Sequence, residues 1–143
     1  MIQSFYEHWS DNDYFNPHFT MPVRGRISGP FGFKRFFNGQ QCNQHGGVDI
    51  AAKKDTRIRA PADAMVLNTG KYFFCGNAIF LDHGQQVISV FCHLHKPLVT
   101  AGQIVRKGQV IGLVGQSGRA TGPHLHWGLS LNDTHVNPLL FVK

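Results

Sequence analysis

Apolar residues in this chain fall in short runs bounded by glycine, proline and asparagine, and they follow a period of two more often than one of 3.6. Residues 23–28 alternate, with Val23 and Ile27 set against Arg24, Arg26 and Ser28. Residues 48–52 form a short apolar run that suits a buried strand. Residues 64–67, 78–83, 87–93, 110–115 and 124–129 are rich in β-branched and aromatic side chains and predict five more strands. His83-Gly84-Gln85-Gln86 is placed to turn between two of them, and Phe36-Phe37-Asn38-Gly39 carries an Asn-Gly turn signal. No window of a dozen residues pairs a helical period with caps. Short elements at regular spacing predict an all-β protein with a compact antiparallel sandwich or barrel-like core. Residues 1–21 are polar and aromatic without period (Tyr6, Trp9, Tyr14, Phe15, Phe19). They read as an N-terminal extension or linker, with a short helix at most, ahead of one domain over residues 22–143.

The 143 residues suffice for one domain with a true core. A content of 42% hydrophobic and 15% charged residues excludes a disordered chain, and 16 glycines with 7 prolines agree with many turns. The net charge of +6, from 14 basic and 8 acidic residues, favours an anionic partner such as a nucleic acid, an acidic lipid or a wall polymer. The cations are spread along the chain, so charge alone does not choose among these. Cys42, Cys75 and Cys92 have no Cys-x-x-Cys spacing, which leaves one disulfide with a free thiol, or three buried thiols. Cys92 adjoins His93 and is a candidate reactive thiol. No apolar segment has the length of a membrane span, and residues 1–8 lack a basic start followed by an apolar core.

The chemistry lies in two clusters. His124 and His126 flank Leu125, and in a strand both histidines project from one face. His45 and Asp49 also share a face if extended, and Gly46 and Gly47 disfavour a helix there. Nitrogen and carboxylate donors of this kind suit zinc, and three ligands with an open position make a catalytic site. The residues themselves point to His45, Asp49 and one histidine of the His-x-His pair as ligands. A single histidine is more often an ordinary surface or core residue, but His45, Asp49, His124 and His126 together, with these spacings and flanking glycines, are not readily accidental. His-Glu-x-x-His and cysteine clusters are absent. His93 and His95 form a second His-x-His, of which His95, beside Lys96 and Pro97, reads as solvent-facing. His83 reads as a hairpin residue, and His8, His18 and His135 carry no context.

Six segments in order resemble the lysostaphin-type, or LytM-like, zinc endopeptidases of bacterial cell walls. These are residues 31–39, an entry strand and turn, and His45-Gly46-Gly47-Val48-Asp49, a first metal motif. They continue with the turn at residues 60–64, Phe91-Cys92-His93-Leu94, the glycine-rich turn at 108–112, and residues 118–126, which end in His124-Leu125-His126. The resemblance covers residues 26–142. It implies a duplicated hybrid motif fold with a groove holding one Zn2+, ligated by His45, Asp49 and His126, with His93 and His124 flanking the reaction centre as catalytic groups. It further implies a peptidoglycan peptide substrate and a periplasmic or cell-envelope location. Lys34, Arg35, Arg119 and Thr121 are candidate substrate-binding residues, although such cations equally serve solubility. Where the family often has tyrosine two residues before the middle histidine, this chain has Phe91.

The expected activity is that of a zinc metalloendopeptidase hydrolysing amide bonds in stem peptides or cross-links, with the D-alanyl-diaminopimelate cross-link favoured over a glycine bridge. The chain is expected to act as a monomer. A non-catalytic LytM-like activator or wall-binding domain is the alternative, and the intact ligand set speaks against it. Residues 99–112 bear a faint likeness to a lipoyl-type turn. No lysine stands at a carrier-type hairpin tip, however, and no aromatic-basic platform for nucleic acid is evident.

Overall fold

The computed structural model describes residues 18–31, 34–37, 40–44, 46–73, 75–118 and 122–142, with 34–37 and 40–44 described as backbone only. Twelve strands and one short 3-10 turn account for the regular structure among them. The strands are β1 (Ile27–Gly29), β2 (Lys34–Phe37), β3 (Gln40–Gln44), β4 (Val48–Ala51), β5 (Arg57–Arg59), β6 (Ala64–Tyr72), β7 (Gly76–Asp82) and β8 (Val87–Pro97). They continue with β9 (Ile104–Val105), β10 (Val110–Val114), β11 (His124–Leu131) and β12 (Thr134–Val136). Ten of them form one antiparallel sheet in the order β1-β4-β11-β8-β7-β6-β9, with β10 joining β5 to β8 and β12 paired to β11. β2 and β3 pair separately as a hairpin. The expected all-β, antiparallel architecture is therefore what the chain adopts.

Period-two patterning explains how the central strands bury both faces. On β7 and β8, Ile79, Leu81, Val87 and Phe91 enter the main core with Ile50, Leu125, Trp127 and Leu129. The alternate residues Ala78, Phe80, Ile88, Val90 and Cys92 form a second apolar cluster on the other side. Phe91 stacks parallel to Trp127, ring centroids 6.5 Å apart. The position where the resemblance pointed to a phenol thus faces the core.

Three sequence expectations change. Only residues 27 and 28 of the alternating stretch 23–28 are strand, at the start of β1; the preceding segment is tied down irregularly, with Pro22 O accepting from Arg59 N and Arg26 O from Ala51 N. His83 does lie in the turn after β7 but is wholly buried. Cys92 is no reactive thiol, because its sulfur is bonded to that of Cys75. The Asn38-Gly39 turn and residues 1–17 lie outside the described residues. Phe19 is buried in the core and its N–H donates to Phe141 O.

Candidate metal centre

Register sets the site. β11 lies between β4 and β8, so that His126 stands opposite Asp49 on one side and Cys92 on the other. Leu125, Trp127 and Leu129 point into the core, which turns His124 and His126 to the outer face. Asp49 Oδ1 and His126 Nδ1 come within 2.9 Å of each other, and Asp49 Oδ1 is 3.8 Å from His124 Nε2. Two glycines permit this crowding. A Cβ on Gly29 would stand 2.7 Å from Asp49 Oδ2, and one on Gly47 would stand 2.6 Å from Trp127 O and 2.9 Å from His126 Cε1. Any side chain at either position would displace a candidate ligand.

His93 reaches the same place by a backbone irregularity. Strict alternation along β8 would send it inward beside Phe91. Instead its φ is +66°, and the β7–β8 register slips there, so that Leu94 takes the core position and His93 is freed to the outer face. Bulges of this kind re-aim a side chain, and a non-glycine residue held at positive φ is a local strain that the surrounding structure must enforce. The enforcement is visible. His93 N donates to Cys75 O at 2.7 Å, and Cys75 is covalently joined to Cys92. The His93 ring then packs 4.8 Å from that of His124 and 6.2 Å from that of His126, centroid to centroid.

Each ring has a fixed orientation. His93 Nδ1 is 2.7 Å from Ser117 O, and His124 Nδ1 is 2.8 Å from Gly122 O. Carbonyls only accept, so both Nδ1 atoms carry the proton and each Nε2 is left as the lone-pair nitrogen. Burial lowers the pKa of His93, reinforced by the neighbouring His124 and His126 and opposed by the Ser117 hydrogen bond and Asp49. Ser117 is itself held: its Oγ donates to Leu94 O at 2.6 Å and accepts from Asn77 N at 3.0 Å. Asn77 Nδ2 donates to the carbonyls of Leu94 and His95. Neither Ser117 nor Asn77 was singled out from the sequence, where nothing distinguishes them from other turn and strand residues.

Beside the histidines is a cleft of ≈ 330 Å³ lined by Arg26, Ser28, Asp49, Ala51, Gly122, Pro123 and His124. Of the residues predicted from sequence, Asp49, His93, His124 and His126 converge here. His45, Arg119 and Thr121 lie outside the described residues, and Lys34 and Arg35 are on β2, described as backbone only. Among the described residues no group of three or more His, Cys, Asp or Glu side chains is arranged to hold a metal ion. The two described candidate ligands nevertheless fit one. Zinc–nitrogen and zinc–oxygen bonds of about 2.1 Å at a tetrahedral angle place two ligand atoms about 3.4 Å apart. The 2.9 Å between Asp49 Oδ1 and His126 Nδ1 needs only a few tenths of an ångström of opening. His135 was assigned no role, yet its ring lies beside Gly46, with Cγ 3.7 Å from where a Cβ there would stand. Burial lowers its pKa, and the nearby His126 adds to the effect.

The Peptidase family M23 profile matches residues 43–138, which include all five of the predicted ligand and catalytic positions. The chain belongs to peptidase family M23. Over 117 residues it is 40% identical to the DD-carboxypeptidase/endopeptidase Mpg of Neisseria meningitidis serogroup B, covering 82% of this chain and 27% of that protein. A crystal structure of a zinc containing peptidase from Vibrio cholerae superposes with a TM-score of 0.76 at 31% identity, over 85% of this chain and 38% of that one. The catalytic domain of the antimicrobial peptidase lysostaphin from Staphylococcus simulans gives 0.67 at 29% identity, over 83% and 91%. The chain spans about a quarter of the length of the curated relatives it matches. The M23 fold and the lysostaphin-type resemblance are thus shared along most of the chain.

Proposed function

We propose that this M23 chain is a zinc-dependent endopeptidase of peptidoglycan that hydrolyses the D-alanyl-diaminopimelate amide of cross-linked stem peptides. The convergence of Asp49, His93, His124 and His126, of which Asp49 and His124 line one cleft, carries the reading. His45, Asp49 and His126 would hold a single zinc ion, and a mixed nitrogen and carboxylate donor set suits that metal. Bound there, zinc would supply Lewis acidity, polarising the scissile carbonyl and acidifying a water.

The remaining work falls to the chain's own side chains. Amide hydrolysis requires a proton to leave the attacking water and another to reach the departing amine. His93 and His124 each offer a lone-pair Nε2 with its ring locked through Nδ1 on a backbone carbonyl. Burial keeps His93 neutral to lower pH than an exposed imidazole, which suits it to accept a proton near neutrality. The second histidine, 4.8 Å away, can donate to charge developing on the substrate oxygen or to the leaving nitrogen once its own Nε2 has taken up a proton. Asp49 is fixed by its place in β4 and by the approach of Gly29.

The disulfide beside the cleft supports an oxidising compartment, hence a periplasmic or cell-envelope location. No described helix is long and apolar enough to cross a membrane. The relatives' names support the peptidoglycan substrate.

The test is zinc content together with digestion of purified peptidoglycan. His126→Ala is expected to lose both zinc and cleavage. His124→Ala is expected to keep zinc and lose about 10²- to 10⁴-fold in rate. An intact chain that binds zinc and leaves cross-links uncut would overturn the endopeptidase reading in favour of the activator alternative.

A further inference from the structure

One cation in the cleft is unused by this scheme. Arg26 lines the same cavity as Asp49 and His124, and it was not among the substrate-binding candidates. Its guanidinium makes no hydrogen bond or ion pair with any described residue. By contrast, Arg106 pairs with Asp63, and Arg59 Nη1 donates to Gly108 O. Among the described residues, Asp49 is the only carboxylate lining the cavity, and it is already engaged with His126.

The ladder fixes where Arg26 stands. Its carbonyl accepts from Ala51 N, and Ala51 is in turn the register partner of His124. Arg26, Ala51 and His124 therefore lie in one row across adjacent chain segments. With strand spacings of about 4.8 Å, the Arg26 backbone is about 10 Å from that of His124. An arginine side chain spans much of that distance. A bound peptide with its scissile amide at His124 would then bring a carboxylate to the guanidinium only if that carboxylate sat within about two residues of the amide, at about 3.5 Å per residue. Next to this row, Ala51, Ala52, Lys53 and Pro123 line an adjoining, open and mostly apolar depression of ≈ 410 Å³.

We propose that Arg26 is a specificity-determining residue: it receives a substrate carboxylate adjacent to the scissile amide. The proposal rests on the endopeptidase reading and narrows its substrate class. Diaminopimelate carries a carboxylate on the carbon next to the amide nitrogen, and a glycine bridge has none. A planar guanidinium can engage such a group through two parallel hydrogen bonds.

The experiment uses two synthetic stem-peptide dimers joined by a D-alanyl-diaminopimelate amide, one with that carboxylate free and one with it amidated. kcat/KM is measured for the chain, for Arg26→Gln and for Arg57→Gln, an exposed cation outside the cleft that controls for net charge. Calorimetric binding of the corresponding uncross-linked tetrapeptides is measured in parallel. The free carboxylate is expected to be preferred about tenfold by the intact chain and by Arg57→Gln, and Arg26→Gln is expected to abolish that preference in both cleavage and binding. Equal losses on both substrates in Arg26→Gln, or an unchanged preference, would overturn the role. If the intact chain binds the free carboxylate preferentially but cuts neither dimer, the endopeptidase reading fails while Arg26 stands. If it cuts both dimers equally, the reverse holds.

Discussion

Acid should loosen this protein through a buried histidine that has no part in the chemistry. His83 is wholly buried, its Nδ1 3.0 Å from Asp63 O and its Nε2 2.7 Å from Ser89 Oγ. Ser89 Oγ also accepts from Trp127 Nε1 at 3.3 Å, so its own proton is directed to His83. Nδ1 must donate to a carbonyl and Nε2 must accept from a hydroxyl, an arrangement that only the neutral ring satisfies. Burial accordingly pushes its pKa down to about 4 from the usual 6.5, against the upward pull of the Asp63 carbonyl bond and the Asp63 charge. The folded pKa lies below the unfolded one, so the unfolded chain binds the proton first. Stability from neutral His83 is complete above pH 6.5, falls as the pH drops below that value and is lost by about pH 4. At 1.36 kcal/mol per unit, the loss attributable to this one group is about 2 kcal/mol at pH 5 and about 3 kcal/mol at pH 4. Other groups titrate in the same range, so the assay is a difference. Urea midpoints of the oxidised chain and of His83→Gln are compared at pH 7.5, 6, 5 and 4. The variant should be less stable at pH 7.5, because Ser89 and Asp63 lose their partner, and the gap should close by about 3 kcal/mol towards pH 4. A gap that stays constant across that range would show that His83 takes up its proton in the fold as readily as in the unfolded chain and would refute the network as drawn.

Two further expectations bear on His93. Ser117→Ala removes the hydroxyl that ties the 117 backbone to Leu94 and Asn77, two hydrogen bonds worth about 1 kcal/mol each. We expect kcat to fall about tenfold while zinc content and KM are retained; loss of zinc instead would mean that Ser117 supports the ligands rather than His93. Reducing the Cys75–Cys92 bond frees a loop of 17 residues and should cost about 3 kcal/mol of stability. Cleavage activity should fall with it, because Cys75 O holds His93 N; a melting temperature and rate indifferent to dithiothreitol would count against this.

Local spacing made part of this site legible and left the rest hidden, for a physical reason. The shared face of His124 and His126 follows from a two-residue period, and Gly46 and Gly47 mark a close backbone approach; both are properties of a few consecutive residues. The cross-strand facts are not. That His126 faces Asp49 depends on the register of β11 against β4, set by which apolar residues fill the core. Alternation along β8 would have buried His93, and only the left-handed bulge, held by a carbonyl 18 residues earlier, brings it out. His83 read as a hairpin residue, and its burial was hidden because its partners come from residues 63 and 89, with Trp127 completing the chain. Arg26 lay in a stretch of ordinary alternation, and its cleft exists only where β1 closes on β4. In each case the missing information is a contact between segments distant in sequence, and those contacts decide which of the described histidines come together at the candidate site. Two histidines of identical local pattern make the point: His93 and His95 flank Leu94 just as His124 and His126 flank Leu125. The bulge sends His93 to the rings of His124 and His126, while His95 stays exposed with its Nδ1 on Asp55 Oδ1. A single positive φ therefore separates a candidate catalytic group from a surface ion pair.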